Sequence, residues 1–275
     1  MRLRIDLAYD GGDFHGWATQ PDLRTVQGEL ETALATALRM PEAKVVCAGR
    51  TDTGVHARGQ VVHLDVPEAD LAASAGRSTA PAPVALGHRL NGLLPADVRV
   101  RRVTEAPPGF DARFSAIWRR YAYRIADLPR AVDPLRRRHV LTWPRPLDLE
   151  AMDTAAVDLV GEHDFAAFCK RREGATTIRH LLDLSWTRDD TGVAVATVRA
   201  DAFCHHMVRS LMGCLVTIGE GRRPASWAGD VLRAEERDPA VPVLPAHGLT
   251  LEEVGYPPDD ELAARAEVAR RVRVR

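Results

Sequence analysis

Lysine is nearly absent from this chain, which carries its positive charge almost entirely on arginine. Lys44 and Lys170 are the two lysines among 37 basic residues, and 38 acidic residues bring the formal net charge to −1. No overall positive excess therefore indicates a nucleic-acid partner, and any RNA surface must come from local arginine clusters. Because the whole chain uses arginine in place of lysine, abundant arginine is only weak support for an RNA-binding surface. The candidate clusters are residues 99–102, 119–120, 136–138 and 170–172 and the arginine-rich tail.

Cysteine is also scarce. The 4 cysteines form no Cys-x-x-Cys pair and lack the dense spacing of a secreted disulfide framework, so we expect buried, reduced thiols. Cys204, His205 and His206 suggest a metal site, but neighbouring side chains on a helix point about 100° apart and do not easily close on one ion. We expect no metal there.

Long apolar runs are missing as well. No segment approaches the roughly eighteen apolar residues of a membrane-spanning helix, and charges interrupt the N-terminus where a signal peptide needs its apolar region. We therefore expect a soluble, cytoplasmic protein without a membrane partner. A hydrophobic content of 45% over 275 residues is enough for a sizeable core in one or two domains.

Apolar periodicity predicts alternating strands and helices along the chain. We expect an initial strand with Leu3, Ile5 and Leu7 on its buried face, and helices capped by Thr25 and Asp148. The second of these helices is expected to carry Val157 and Val160 on its buried stripe. The predicted elements are a strand at 3–9, helices at 25–39 and 148–160, a strand at 117–125, a hairpin at 178–187 and 193–200, and a helix opening at 202–210. A soft segment at 68–86 predicts a surface insertion, and the tail beyond 256 is expected to be poorly ordered.

A polar, glycine-rich stretch at 49–59 connects two predicted strands and carries Asp52. An aspartate in such a loop often bonds its own backbone, which gives a purely structural alternative. Asp-Thr-Gly also begins the catalytic loop of aspartic proteases, which needs two carboxylates sharing one proton. Arg50 favours an ionised Asp52, which opposes such sharing, so a dimeric protease is a remote alternative.

The segment at 48–57, Ala-Gly-Arg-Thr-Asp-Thr-Gly-Val-His-Ala, closely resembles the active-site loop of the tRNA pseudouridine synthase A family. Other blocks that resemble the family occur before and after this segment, in the order that they have in the family. They are Tyr-Asp-Gly at 9–11, Phe-His-Gly-Trp at 14–17, Ala-Arg-Phe through Tyr-x-Tyr at 112–123, Phe-x-His-His-Met-Val-Arg at 203–209 and Gly-Leu-Thr-Leu at 248–251. The chain departs from the usual pattern at Ala18, Val241 and Leu244, which affects a minor polar contact and one local loop.

The resemblance implies a role for each matching residue. Asp52 is the expected catalytic aspartate, and Arg50 is expected to help turn the target base out of the helix. The expected substrate-binding residues are Tyr121 against the target nucleotide, Arg209 reaching Asp52, and Leu249 lining the base pocket.

The same resemblance implies an α+β fold of two similar halves, each with a mostly antiparallel sheet backed by helices, joined across a central cleft. We place the halves at 1–106 and 107–256, with a charged tail at 257–275. The implied activity is isomerisation of uridine to pseudouridine at neighbouring positions of the tRNA anticodon stem-loop, by a homodimer without cofactor or metal. A non-catalytic tRNA-binding protein or chaperone on the same fold is the alternative, since fold does not guarantee activity.

Overall fold

The computed structural model describes residues 1–170 and 176–271. These residues form two compact units: unit 1 comprises Met1–Ile117 and Leu251–Arg271, and unit 2 comprises Trp118–Thr250. Residues 171–172 of one predicted arginine cluster, and the tail at 272–275, lie outside the described residues. The domain limits predicted from the sequence stay a prediction.

The described residues form ten strands and seven helices, a mixture that confirms the α+β class. The strands are β1 (Arg2–Tyr9), β2 (Val46–Cys47), β3 (His56–Asp65), β4 (Val98–Glu105), β5 (Trp118–Ala126), β6 (Leu141–Thr142), β7 (Gly161–Asp164), β8 (Ile178–Arg188), β9 (Ala194–Ala200) and β10 (Leu249–Gly255). The helices are α1 (Val26–Leu38), α2 (Glu68–Ser74), α3 (Ala82–Leu93), α4 (Leu149–Val157), α5 (Met207–Gly219), α6 (Trp227–Ala234) and α7 (Leu262–Arg270).

In unit 1, β1 pairs antiparallel with β3 on one side and β4 on the other. The short strand β2 also pairs with β3, and β10 follows β3 in the sheet order. Leu3, Ile5 and Leu7 are fully buried, as their alternation predicts. The Thr25 hydroxyl accepts a hydrogen bond from the Gly28 N–H and caps α1, which confirms that predicted helix.

In unit 2, the antiparallel order is β5, β9, β8, β7, with β6 parallel to β5. The predicted hairpin is confirmed as β8 and β9. Asp148 caps α4 by accepting from the Ala151 N–H at 3.0 Å. The helix ends at Val157, which is 70% exposed, and Val160 is 41% exposed, so their predicted place on the buried stripe was wrong.

Two segments are more regular than their sequences suggest. Part of the soft segment forms α2, because alanine favours helix and Leu71 supplies a buried contact. Beyond the predicted second half, α7 buries Leu262 and Ala266, and Arg270 pairs with Asp111 at 3.0 Å. The expectation of poor order was therefore wrong for this part of the tail.

One cysteine pair corrects the expectation of reduced thiols. Cys169 and Cys204 form a disulfide with a Cα–Cα distance of 5.8 Å, while Cys47 and Cys214 are buried thiols. The partners are 35 residues apart, so spacing gave no indication of the pair.

Within the described residues, every helix is too short or too polar to cross a bilayer.

Candidate active site

Asp52 lies in a tight turn between β2 and β3. Its carbonyl accepts a hydrogen bond from the Val55 N–H at 3.1 Å, and Gly54 has φ +79°, which residues with side chains rarely adopt. Asp52 is half-buried and Arg50 is exposed. The connection is shorter than predicted because β3 already begins at His56. The turn thus presents a carboxylate at a fixed place on the loop, with a guanidinium two residues earlier.

The N-terminal family block supports this turn from one side. The Trp17 N–H donates to the Thr51 carbonyl at 3.0 Å, and the Gly54 N–H donates to the Phe14 carbonyl at 3.4 Å. Two motifs more than thirty residues apart in the sequence therefore meet at the Asp52 loop.

Tyr121 lies in β5 of unit 2, opposite Val198 of β9. It is 7% exposed, and its ring packs edge-on against Phe203, with centroids 5.2 Å apart and an interplanar angle of 88°. Phe203 opens the Phe-x-His-His-Met-Val-Arg block, so two family motifs of unit 2 meet at this aromatic pair.

Arg209 lies in the first turn of α5 and binds the segment that leads to β10. Its Nε donates to the Leu244 carbonyl at 2.6 Å, and the Leu244 N–H donates to the Arg209 carbonyl at 3.2 Å. The residue that caps this helix, His206, has φ +68°, an uncommon conformation for a residue with a side chain. The side chain of Arg209 is thereby oriented by a backbone contact as well as by its helix.

Tyr123 holds the same segment and was not among the predicted site residues. Its hydroxyl donates to the Pro245 carbonyl at 2.7 Å, and a Cβ on Gly248 would come within 2.7 Å of its ring carbon Cζ. Burial raises the pKa of Tyr123 above its ordinary value, against the smaller opposing effect of Arg209, so the phenol stays a donor. The segment ends at Leu249, which is 5% exposed.

The structure therefore gathers the predicted residues in two groups. Arg50 and Asp52 share one loop of unit 1, whereas Tyr121, Arg209 and Leu249 belong to unit 2. Tyr123 connects the segment before Leu249 to β5, and its place in the Tyr-x-Tyr pattern was the available sequence signal. The predicted pairing of Arg209 with Asp52 stays a prediction.

Some arginines of the predicted clusters are paired with carboxylates. Arg102 lies 3.0 Å from Asp6, and Arg136 lies 3.1 Å from Asp189. Arg99 and Arg101 are exposed on β4. The clusters are thus partly neutralised within each unit, and their positive charge is smaller than the sequence suggests.

Comparison with known proteins identifies the family. The family model described as tRNA pseudouridine synthase matches residues 155–257. The chain is 58% identical over 274 residues to tRNA pseudouridine synthase A of Frankia casuarinae, covering 100% of this chain and 96% of that protein. It is 59% identical to tRNA pseudouridine synthase A of Streptomyces griseus subsp. griseus, covering 99% and 94%. The chain belongs to the tRNA pseudouridine synthase A family. This membership confirms the resemblance seen in the sequence motifs.

Membership of the tRNA pseudouridine synthase A family places the chain in an isomerase family. Among solved structures, an H/ACA RNP bound to a substrate RNA containing 2′-deoxyuridine shares 10% identity. The match covers 78% of this chain and 53% of that chain at a TM-score of 0.31, a value too low to support a comparison of folds.

Proposed function

We propose that this chain isomerises uridine to pseudouridine in the anticodon stem-loop of tRNA, with Asp52 as the catalytic residue. The observation that carries the proposal is the half-buried Asp52 carboxylate on its tight turn, two residues after Arg50. Full-length identity to relatives named tRNA pseudouridine synthase A supports the substrate class.

The reaction breaks the bond between C1′ of the ribose and N1 of uracil, rotates the base and joins C1′ to C5. The proton on C5 is lost to solvent and N1 gains one, so no atoms are added and no cofactor is needed. A carboxylate near the sugar either attacks C1′ or removes the proton from C2′. Asp52 supplies that group in both versions.

The remaining residues help to flip the base out of the stem and then retain it in the site. Flipping a base out of a stacked stem costs a few kcal/mol, and Arg50, exposed on the loop, occupies the vacated space. Tyr121 and Leu249 form apolar walls that hold the detached uracil. Arg209 pairs with Asp52, and such a pair favours the ionised carboxylate.

A homodimer of this chain holds one tRNA by its anticodon arm. Positive charge for phosphate contacts comes from local arginines such as Arg99 and Arg101, because the net charge is −1.

Release of tritium tests this function. A tRNA transcript labelled with 5-tritiated uridine loses the label to water when C5 becomes the attachment point. We expect stoichiometric release from a transcript with uridines in its anticodon arm, and none when cytidine replaces them there. Tight binding without tritium release would instead establish the non-catalytic tRNA-binding alternative.

A further inference from the structure

Three buried polar side chains lie directly beneath the Asp52 loop. Tyr9 ends β1, Gln60 belongs to β3, and Thr51 immediately precedes Asp52; their exposed fractions are 5%, 0% and 6%. The Tyr9 and Thr51 hydroxyls share a hydrogen bond of 2.8 Å. Gln60 Nε2 donates to the Tyr9 hydroxyl at 3.2 Å and to the Gly49 carbonyl at 2.8 Å. We call Tyr9, Thr51 and Gln60 the buried polar cluster.

The position of Tyr9 is fixed independently of the loop. The register between β1 and β3 shifts between Leu7 and Tyr9, so β1 has an irregularity directly before this residue. Such irregularities re-aim the side chains that follow them. The Tyr9 ring also packs on Trp17, with centroids 6.0 Å apart. The tyrosine hydroxyl is therefore a firm anchor for Thr51.

The cluster forms hydrogen bonds to the loop on both sides of Arg50. Gln60 holds the Gly49 carbonyl before it, and Tyr9 holds the Thr51 side chain after it. The Gln60 carbonyl oxygen also accepts from the Val61 N–H at 3.2 Å, so both ends of the amide are bonded. Burying polar groups is costly unless they are bonded, and an apolar trio would fill this core without that cost. We therefore infer that the cluster serves to fix the conformation of the loop rather than to stabilise the core.

We propose that Tyr9, Thr51 and Gln60 are positioning residues that fix the main chain from Gly49 to Thr51 and so direct the Asp52 carboxylate at the reacting sugar. This inference rests on the proposed role of Asp52. Because the three side chains are buried, they do not touch RNA and act through Asp52. Their loss lowers the rate of the chemical step and leaves tRNA affinity unchanged.

Thr51 offers a matched pair of variants. Thr51→Val removes the hydroxyl with little change of shape, and Thr51→Ser keeps it. We expect Thr51→Val to slow single-turnover tritium release at saturating tRNA at least about tenfold, which corresponds to about 1.4 kcal/mol. Thr51→Ser should stay within about threefold of wild type. The tRNA Kd of both should stay within about twofold, because affinity comes mainly from phosphate contacts.

Ser115→Ala is the control for a general loss of stability. Ser115 is fully buried in unit 1, accepts from the Asp111 N–H at 2.9 Å and donates to the Leu262 carbonyl at 3.0 Å, and neither bond involves the Asp52 loop. We expect this variant to lower Tm while its rate stays within about twofold of wild type.

Three outcomes overturn the inference: a Thr51→Val rate within about twofold of wild type, a loss of rate that Ser115→Ala shares, or a loss confined to tRNA affinity. If Thr51→Val does not fold, Tyr9→Phe decides by the same criteria, since it removes one hydroxyl and keeps the ring. Failure of the proposed function looks different, because the wild-type protein would then bind tRNA without releasing tritium, or Asp52→Asn would still release it.

Discussion

Replacing Arg209 with alanine removes two interactions at once. The first is the charge-assisted bond from Nε to the Leu244 carbonyl at 2.6 Å, and the second is the proposed pairing with Asp52. A bond to a charged group contributes about 1.5–3 kcal/mol, and loss of one partner of a partly buried pair costs about 2–5 kcal/mol. If half of the latter is felt in the transition state, the rate falls roughly five- to seventyfold.

Single-turnover tritium release at saturating tRNA measures this effect separately from binding. Arg209→Lys should recover part of the rate, because it restores the charge but not the planar guanidinium. Arg265→Ala is a matched control, since Arg265 Nε also donates to a main-chain carbonyl, that of Ala116 at 3.3 Å. It should stay within about twofold. An Arg209→Ala rate within about twofold of wild type would refute the proposed pairing with Asp52 and show that the bond to Leu244 does not support the chemical step.

Two further predictions concern binding and stability. Binding of tRNA should weaken steeply as the salt concentration rises, despite the net charge of −1, because local arginines release counterions from phosphates. A tRNA Kd that does not change with salt in a filter-binding titration would contradict this prediction. Asp127→Asn should lower the free energy of unfolding by about 3–5 kcal/mol at pH 7 in urea titration, because the fully buried carboxylate binds Arg188 through two bonds of 2.7 Å. Burial acts to raise the pKa of Asp127, but the bonds from Arg188 and the Leu147 N–H outweigh it and hold the pKa below its usual value. The stabilisation is therefore present above about pH 4 and is lost as the pH falls through the lowered pKa. Asp127→Asn should lack this acid-dependent loss of stability. Equal pH dependence of unfolding in the two proteins would contradict this prediction.

Periodic segments were predictable from the sequence because one physical rule decides them. The stripe of α1 and the alternation of Leu3, Ile5 and Leu7 place apolar side chains on one face, and burial of that face fixes the element. The strand β7 was missed because its four residues, Gly161–Asp164, are mostly polar and owe their conformation to pairing with β8. Val157 and Val160 were misplaced because α4 ends before the apolar pattern does.

Motifs located the Asp52 loop but not what holds it. The bond between Tyr9 and Thr51 spans 42 positions, and the bond between Tyr9 and Gln60 spans 51. Only the pairing of β1 with β3 brings these side chains together. The contact of Arg209 with Leu244 likewise joins residues 35 positions apart. Residue types can be recognised along the chain, whereas such long-range contacts depend on the register of the fold.

The central claim is that the Asp52 carboxylate performs the chemical step, and Asp52→Asn tests it most directly. This substitution keeps the size of the side chain and its place on the turn while removing the charge. Affinity for tRNA, measured in parallel, should stay within a few-fold of wild type, because phosphate contacts made by other residues dominate it. The account predicts no tritium release from 5-tritiated uridine by the folded, tRNA-bound variant; measurable turnover by that same variant would contradict it.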